Sequence, residues 1–387
     1  MPLKLAFLFR RPVGLGSILR YLPIGNTRIT LLMTRSSKLK FLQIFLSGAV
    51  FVSEIARRKV YSQKRIEELR SKLAVASTFA ANKACVYATG SFGRVEASQF
   101  SDLDVFIAGK YELVRVPEGE GHKLEVKNLL SHLDEICVQA ELIKVARDLK
   151  FPKFSGDGRY LHRHSVHEFT STLGTEKDEV TNTFTARLLL LLESCPLVEE
   201  NVYDEIVREV IKSYWRDYNG HEADFMPVFL ANDILRLWRT FCVNYEARTE
   251  GNTSAEKKLK NYKLKHSRIL TCYSALLFLL ETYAQKGAVS PEDAFAMVKT
   301  TPTARLEWLK NSNNKTVDVV EKLIEQYNRF LASTNFNEAV LLGNFSQKEV
   351  AEKLSNEAAA LGSLMFDALQ VVGSADSGKA FYRMLMV

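Results

Sequence analysis

Between Val86 and Ala108 the chain reads VYATGSFGRVEASQFSDLDVFIA, two short apolar runs separated by a polar loop. An apolar run that breaks at Gly90-Ser91 and resumes after a polar stretch predicts strand, loop, strand. Side chains alternate along a strand, so Asp102, Asp104 and Phe106 are expected on one face and Leu103, Val105 and Ile107 on the other. Upstream, Ile66, Leu69, Leu73 and Ala76 recur at helical spacing and predict a helix from Ser62 to about Asn82. Downstream, Lys110 to His122 reads as a charged loop and Leu124 to Leu149 as a helix. Turns at Pro152 and Gly156-Asp157-Gly158 then lead to a third strand over Tyr160 to Val166. Beyond about Thr170 the period is helical, in Asn182–Ser194, Phe225–Arg248, Thr253–Gln285, Val317–Leu331 and Gln347–Val371. The pattern predicts an α+β chain: a mixed-sheet domain over 63–170, followed by an all-α helical domain over 171–387.

Composition places this chain among globular proteins, with 47% hydrophobic and 25% charged residues over 387 positions. The net charge of +7 is uneven. Residues 1–70 hold 14 Lys plus Arg against 3 acids, leaving 38 basic and 42 acidic residues beyond them. The body is therefore not basic, and its overall charge does not call for a nucleic-acid partner, although a local patch can still bind one. Residues 1–62 read as a basic extension mixing Arg with apolar runs, or, with Met33 as the true start, as partly outside the protein. The apolar run Phe41–Val52 is shorter than the roughly 18 residues a bilayer span needs, so no stable membrane insertion is expected. The five cysteines are widely spaced, without a C-x-x-C, which predicts a reduced, cytoplasmic protein without structural zinc.

The loop and the acids suit a nucleoside triphosphate and a hard cation. Gly90 lets the backbone approach an anion, N–H groups near Ser91 and Phe92 can form a nest, and the Ser91 hydroxyl adds a donor. Asp102 and Asp104, two residues apart on a strand, point at one spot and are the expected Mg2+ ligands, with two ions expected. Farther on, EKKLKNYKLKHSR places Lys263 and Lys265 on a helix that would close one side of the site and contact phosphates. The mixture of Asn232, Asp233, Arg236 and Arg239 with apolar residues suggests a cleft wall.

These residues carry a resemblance. Gly-Ser, an Arg three residues after the Ser, and Ser-Asp-x-Asp on a following strand resemble the DNA polymerase beta superfamily of nucleotidyltransferases. GSFGR followed by SDLDVFI is most similar to the branch of bacterial protein-PII uridylyltransferases and related nucleotidyltransferases, over about a quarter of the chain. The resemblance implies a polymerase beta-like fold and transfer of an NMP from an NTP, ATP among them, to an acceptor hydroxyl with release of pyrophosphate. It favours a protein side chain as acceptor; a nucleotide, as in second-messenger synthases, or RNA, as in tRNA-modifying toxins, are the alternatives. In this reading Asp102 and Asp104 are catalytic and metal-binding, while Gly90, Ser91 and Arg94 bind the nucleotide, Arg94 by supporting the loop or touching phosphate. A third carboxylate is implied on the third strand, where none stands between Tyr160 and Val166. Asp157 is carried as the catalytic candidate, with Glu168 just after the strand and His162 and His164 within it. Arg187, in an Ala-Arg-Leu-Leu segment, either faces phosphate or makes a salt bridge. Lack of a third acid would make the chain an inactive nucleotide-binding or interaction module.

Overall fold

The computed structural model describes residues 21–24, 27–30, 45–47, 52–118, 121–152, 154, 161–375 and 378–386, the first three segments by backbone alone. The chain divides into two units, Met1–Val52 and Ser53–Val387. In the first, β1 (Tyr21–Ile24), β2 (Thr27–Thr30) and β3 (Phe45–Ser47) form an antiparallel sheet in that order, with Ile29 opposite both Leu22 and Leu46. Met33 and Phe41 lie outside the described residues.

The second unit opens with α1 (Glu54–Lys72), which starts upstream of the expected Ser62 because Ser53 caps it, accepting the Ala56 N–H. Glu54 in the first turn and Arg70 and Lys72 in the last suit the helix dipole. Next come α2 (Ala74–Ala80), β4 (Ala84–Ala88), the single turn α3 (Gly90–Gly93) and β5 (Val105–Gly109). A hairpin of β6 (Tyr111–Glu118) and β7 (Gly121–Asn128) precedes α4 (His132–Asp148), β8 (Arg163–Ser165), α5 (Val166–Ser171), α6 (Lys177–Val180) and α7 (Thr183–Leu192). Then follow β9 (Cys195–Val198), α8 (Glu200–Tyr214), α9 (Val228–Arg248) and α10 (Ser254–Lys263), and a π turn, Leu264–Arg268, which runs into α11 (Ile269–Lys286). The remainder is α12 (Pro291–Lys299), α13 (Pro302–Ser312), α14 (Val317–Ser333), α15 (Glu338–Ser346), α16 (Lys348–Gly373) and α17 (Lys379–Met386). Among the described residues no helix is long and apolar enough to cross a membrane.

This is a mixed α/β unit built on a small mixed sheet, β8-β5-β4-β9. β5 runs antiparallel to β4, with Val86 opposite Ile107 and Tyr87 opposite Phe106, and β8 runs parallel to β5. Every residue of β4 and β5 is buried, because each face meets a different core. Leu103, Val105 and Ile107 share one core with Val138 and Leu142 of α4. Phe106 and Ala108 belong to the larger core with the leucines of α7. The alternation expected for this strand therefore holds.

Two expectations require correction. The loop and early helix expected over 110–131 form the β6–β7 hairpin, where Leu113 pairs with Val126 and Arg115 with Leu124. Leu124 and Val126 alternate with polar residues but stay exposed, as does Leu113, while Tyr111, Val114 and Val116 are only half-buried, so the helical count from Leu124 was misleading. The region after 170 is not purely helical: β9 joins the sheet edge beside β4, with Ala88 opposite Cys195. Four residues with a central Pro give little strand signal, and Pro196 is tolerated because β9 is an edge.

Arg187 is fully buried and is used structurally. It donates to both Asp178 oxygens at 2.8 and 2.6 Å, to the Phe169 carbonyl at 3.0 Å and to the Tyr214 hydroxyl at 2.9 Å. The Tyr214 hydroxyl in turn donates to Asp233 at 2.7 Å.

Candidate functional site

The ladder of β4 and β5 continues one step past the strands, where the Thr89 N–H donates to the Asp104 carbonyl at 2.9 Å. The chain then turns sharply at Gly90, whose φ is +64°, and closes one helical turn as Gly93 and Arg94 donate to Thr89 and Gly90. A β-carbon on Gly90 would lie 2.9 Å from Asp104 Oδ2, so glycine here is what lets the loop and the carboxylate meet. Phe92 anchors the turn in the core, edge-on to Phe151 at 5.5 Å. Val95 follows at φ +56°, an unusual conformation for a β-branched residue, held by the Glu96 N–H donating to the Ser91 carbonyl at 2.8 Å.

Asp102 and Asp104 stand in the extended stretch that leads into β5, and Leu103 between them is buried. Both line a cleft of about 700 Å³ together with Gly90, Ser91, Arg94 and Lys263. Neither carboxylate has a hydrogen-bond or ion-pair partner among the described residues. Partial burial pushes both carboxyls above the usual range. Lys263 opposes that rise at Asp102, and Arg268 opposes it at Asp104, where Asp102 itself adds to it. Ser91 is likewise partly exposed, with its hydroxyl unpartnered among the described residues.

Helices form the opposite wall: Phe241, Asn244 and Tyr245 of α9, and Lys260 and Lys263 of α10. The π turn continues that face with Ser267 and Arg268. Lys263 keeps its contact with solvent, but the surrounding walls lower its pKa, against the pull of Asp102 and Glu338. Lys265 takes a different place. It lies on the other side of the helix and lines a neighbouring cavity with Lys258 and Tyr262, since residues two apart on a helix point away from each other. The cleft wall also uses the C-terminal half of α9; Asp233 and Arg236 instead pair with each other at 3.2 Å, and Arg236 with Glu179 at 3.0 Å.

Arg94 supports the loop. It is buried and donates to Glu96 at 2.6 Å and to Glu193 at 2.5 Å. Sequence reasoning missed the layer behind it. Glu193, at the end of α7, also accepts from Thr271 at 2.6 Å and from Arg268. Burial alone would raise its pKa, yet Arg268 and Arg94 hold it at about 2. Glu96 accepts the Tyr327 hydroxyl at 2.8 and 2.7 Å, and Arg58 donates to the Glu96 carbonyl at 3.2 Å and to the Leu331 carbonyl. The one available signal was an acid closing an otherwise apolar run, LLLLLE.

Asp157 lies outside the described residues. Glu168 is exposed, and its Oε2 accepts the Ser165 N–H at 3.0 Å at the start of α5. His164 is buried between Phe106 and Phe169, at 5.7 and 5.4 Å between ring centroids, and burial with His162 nearby lowers its pKa to about 3. His162 is exposed. Among the described residues no group of three His, Cys, Asp or Glu side chains is placed to hold a metal ion. The two unpaired carboxylates of Asp102 and Asp104 fit a hard cation that takes its other oxygens from substrate and water.

No family model, curated protein or solved structure matches the chain.

Proposed function

We propose that the protein is a magnesium-dependent nucleotidyltransferase, its Ser53–Val387 unit a polymerase beta-like sheet domain closed by helices. The observation that carries this reading is the approach of the unpaired Asp104 carboxylate to the Gly90 turn, in the cleft that also holds Asp102, Ser91 and Lys263. Asp102 and Asp104 would hold magnesium, which when bound offsets negative charge on the polyphosphate. The Ser91 hydroxyl donates to phosphate oxygens, and Lys263, facing the acids across the cleft, adds a positive charge where pyrophosphate charge develops. Arg94 and Glu193 fix the loop from behind. An acceptor hydroxyl oxygen bonds to the α-phosphorus as the α–β phosphoanhydride bond breaks. Pyrophosphate leaves, and the hydroxyl proton passes to water.

The test is incubation with each α-radiolabelled NTP and magnesium, with and without cell lysate. Label on protein, on RNA or in a small cyclic product identifies the acceptor class. Undiminished turnover in an Asp102→Ala, Asp104→Ala double variant refutes the proposal. A second reading, a nucleotide-binding module without turnover, draws support from the engagement of Glu168 and Glu193 elsewhere. Magnesium-dependent NTP binding without pyrophosphate release would favour it.

A further inference from the structure

We infer that the acceptor served by this cleft is the end of a single-stranded nucleic acid, an inference that rests on the nucleotidyltransferase reading and names its second substrate. From Ser254 to Arg268 the chain carries Lys257, Lys258, Lys260, Lys263, Lys265 and Arg268 against one acid, Glu256. Arg268 is engaged by Glu193, and Lys257 reaches the Glu250 carbonyl at 3.4 Å. Lys258, Lys260, Lys263 and Lys265 form no ion pair among the described residues. Other surface lysines do: Lys299 pairs with Asp204 at 2.9 Å, Lys110 with Glu205 at 2.7 Å and Lys286 with Asp293 at 2.5 Å. Unpaired lysines also stand singly elsewhere, Lys59, Lys72 and Lys212 among them, but here four fall within the eight residues from Lys258 to Lys265.

The four lysines divide between two cavities that share α10 as a wall. Lys260 and Lys263 line the cleft of the acids, while Lys258 and Lys265 line the neighbouring cavity of about 410 Å³, joined there by Lys348 of α16, which lies 3.9 Å from Glu352 on the same wall. Together they make a cationic ridge over α10 that leads to the acids. Two phenylalanines also line the cleft with much of their surface in solvent, Phe100 at 40% and Phe336 at 45% exposure. Lysines that track a phosphate backbone, together with open rings on which unpaired bases stack, are what a single strand requires. An acidic peptide would use the lysines and leave the rings without a role, and a duplex has no unpaired bases to stack. A terminal hydroxyl of the strand would then be the attacking group of the transfer described above.

Fluorescence anisotropy of the full chain with a labelled mixed-sequence single-stranded RNA, about 20 nucleotides long, from about 50 to 200 mM salt tests this. The Lys258→Ala, Lys265→Ala, Lys348→Ala variant is expected to lose about tenfold or more in affinity and about 2 in the log–log salt slope. Phe336→Ala should weaken binding without changing the slope, and Lys→Arg at the three ridge positions should retain affinity. Magnesium–ATP binding by the triple Ala variant should match the parent. Equal affinity for a duplex, displacement by polyglutamate as effective as by RNA, or an unchanged triple Ala variant would overturn the inference. Failure of RNA binding with NTP binding intact removes the acceptor assignment alone, whereas failure of the parent chain to bind NTP removes the reading beneath it.

Discussion

Asp104 stands so close to Gly90 that the two positions constrain each other: the turn needs a residue without a β-carbon, and the acid needs the space that residue leaves. Gly90→Ala is expected to cost about 1–2 kcal/mol from the left-handed backbone and to displace the carboxylate. Denaturant unfolding and calorimetric NTP titration check both effects, with an expected loss in magnesium-dependent NTP affinity of about tenfold. A Gly90→Ala chain that binds NTP like its parent would remove Asp104 from the site.

Asp102→Asn and Asp104→Asn should each lower nucleotidyl transfer about a hundredfold or more. The same variants should melt no lower than the parent at pH 7. Burial raises both folded-state pKa values, so each charged carboxylate opposes folding above its ordinary range, and an uncharged amide relieves that cost. Chelation of magnesium should abolish transfer while leaving the melting temperature of the ion-free protein as the baseline. Loss of activity accompanied by general unfolding would point instead to a structural role for the pair.

Glu193 supplies a pH dependence of opposite sign. Its folded-state pKa of about 2 lies below the ordinary glutamate value, so its contribution is complete above about pH 4.5 and fades as pH falls toward 2. The difference amounts to about 3 kcal/mol. Glu193→Gln should therefore be destabilised by a few kcal/mol at neutral pH, with Arg94 and Arg268 left short of their counter-charge. Its stability should also fall less steeply than the parent's over that acid window. Parallel melting curves of the two chains as pH is lowered would expose an error in this assignment.

Asp178→Ala should cost about 3–5 kcal/mol, because it leaves the Arg187 guanidinium buried without its bidentate partner. NTP affinity in whatever fraction folds should match the parent, since neither residue lines the cleft. Arg187→Met should be the milder change only in company with Asp178→Leu, which removes both charges together. Loss of NTP affinity without loss of stability would return Arg187 to the binding site.

The parts of the site that lie on one continuous stretch were legible in the sequence. Gly90, Ser91, Asp102 and Asp104 sit on two adjacent strand ends, and strand periodicity fixes which way the acids point. Lys263 was found by charge alone, and Lys265 with it; only the turn of the helix separates them, and charge has no direction. Glu193 and Tyr327 were not legible, because their meaning comes from contacts with Arg94 and Glu96 across long stretches of chain. The β6–β7 hairpin was missed because Leu113, Leu124 and Val126 remain in solvent, where the rule that apolar residues mark a buried face does not apply.

The return of the chain at β9 limits how the protein can be taken apart. A fragment ending near residue 170 would leave the hydrogen-bonding edge of β4 bare, strip Arg70 of its bonds to the Pro196 carbonyl at 3.0 and 2.7 Å, and deprive Arg94 of Glu193. The acids and their loop are thus no portable cassette: grafting or excising them means carrying the chain through Val198 as well.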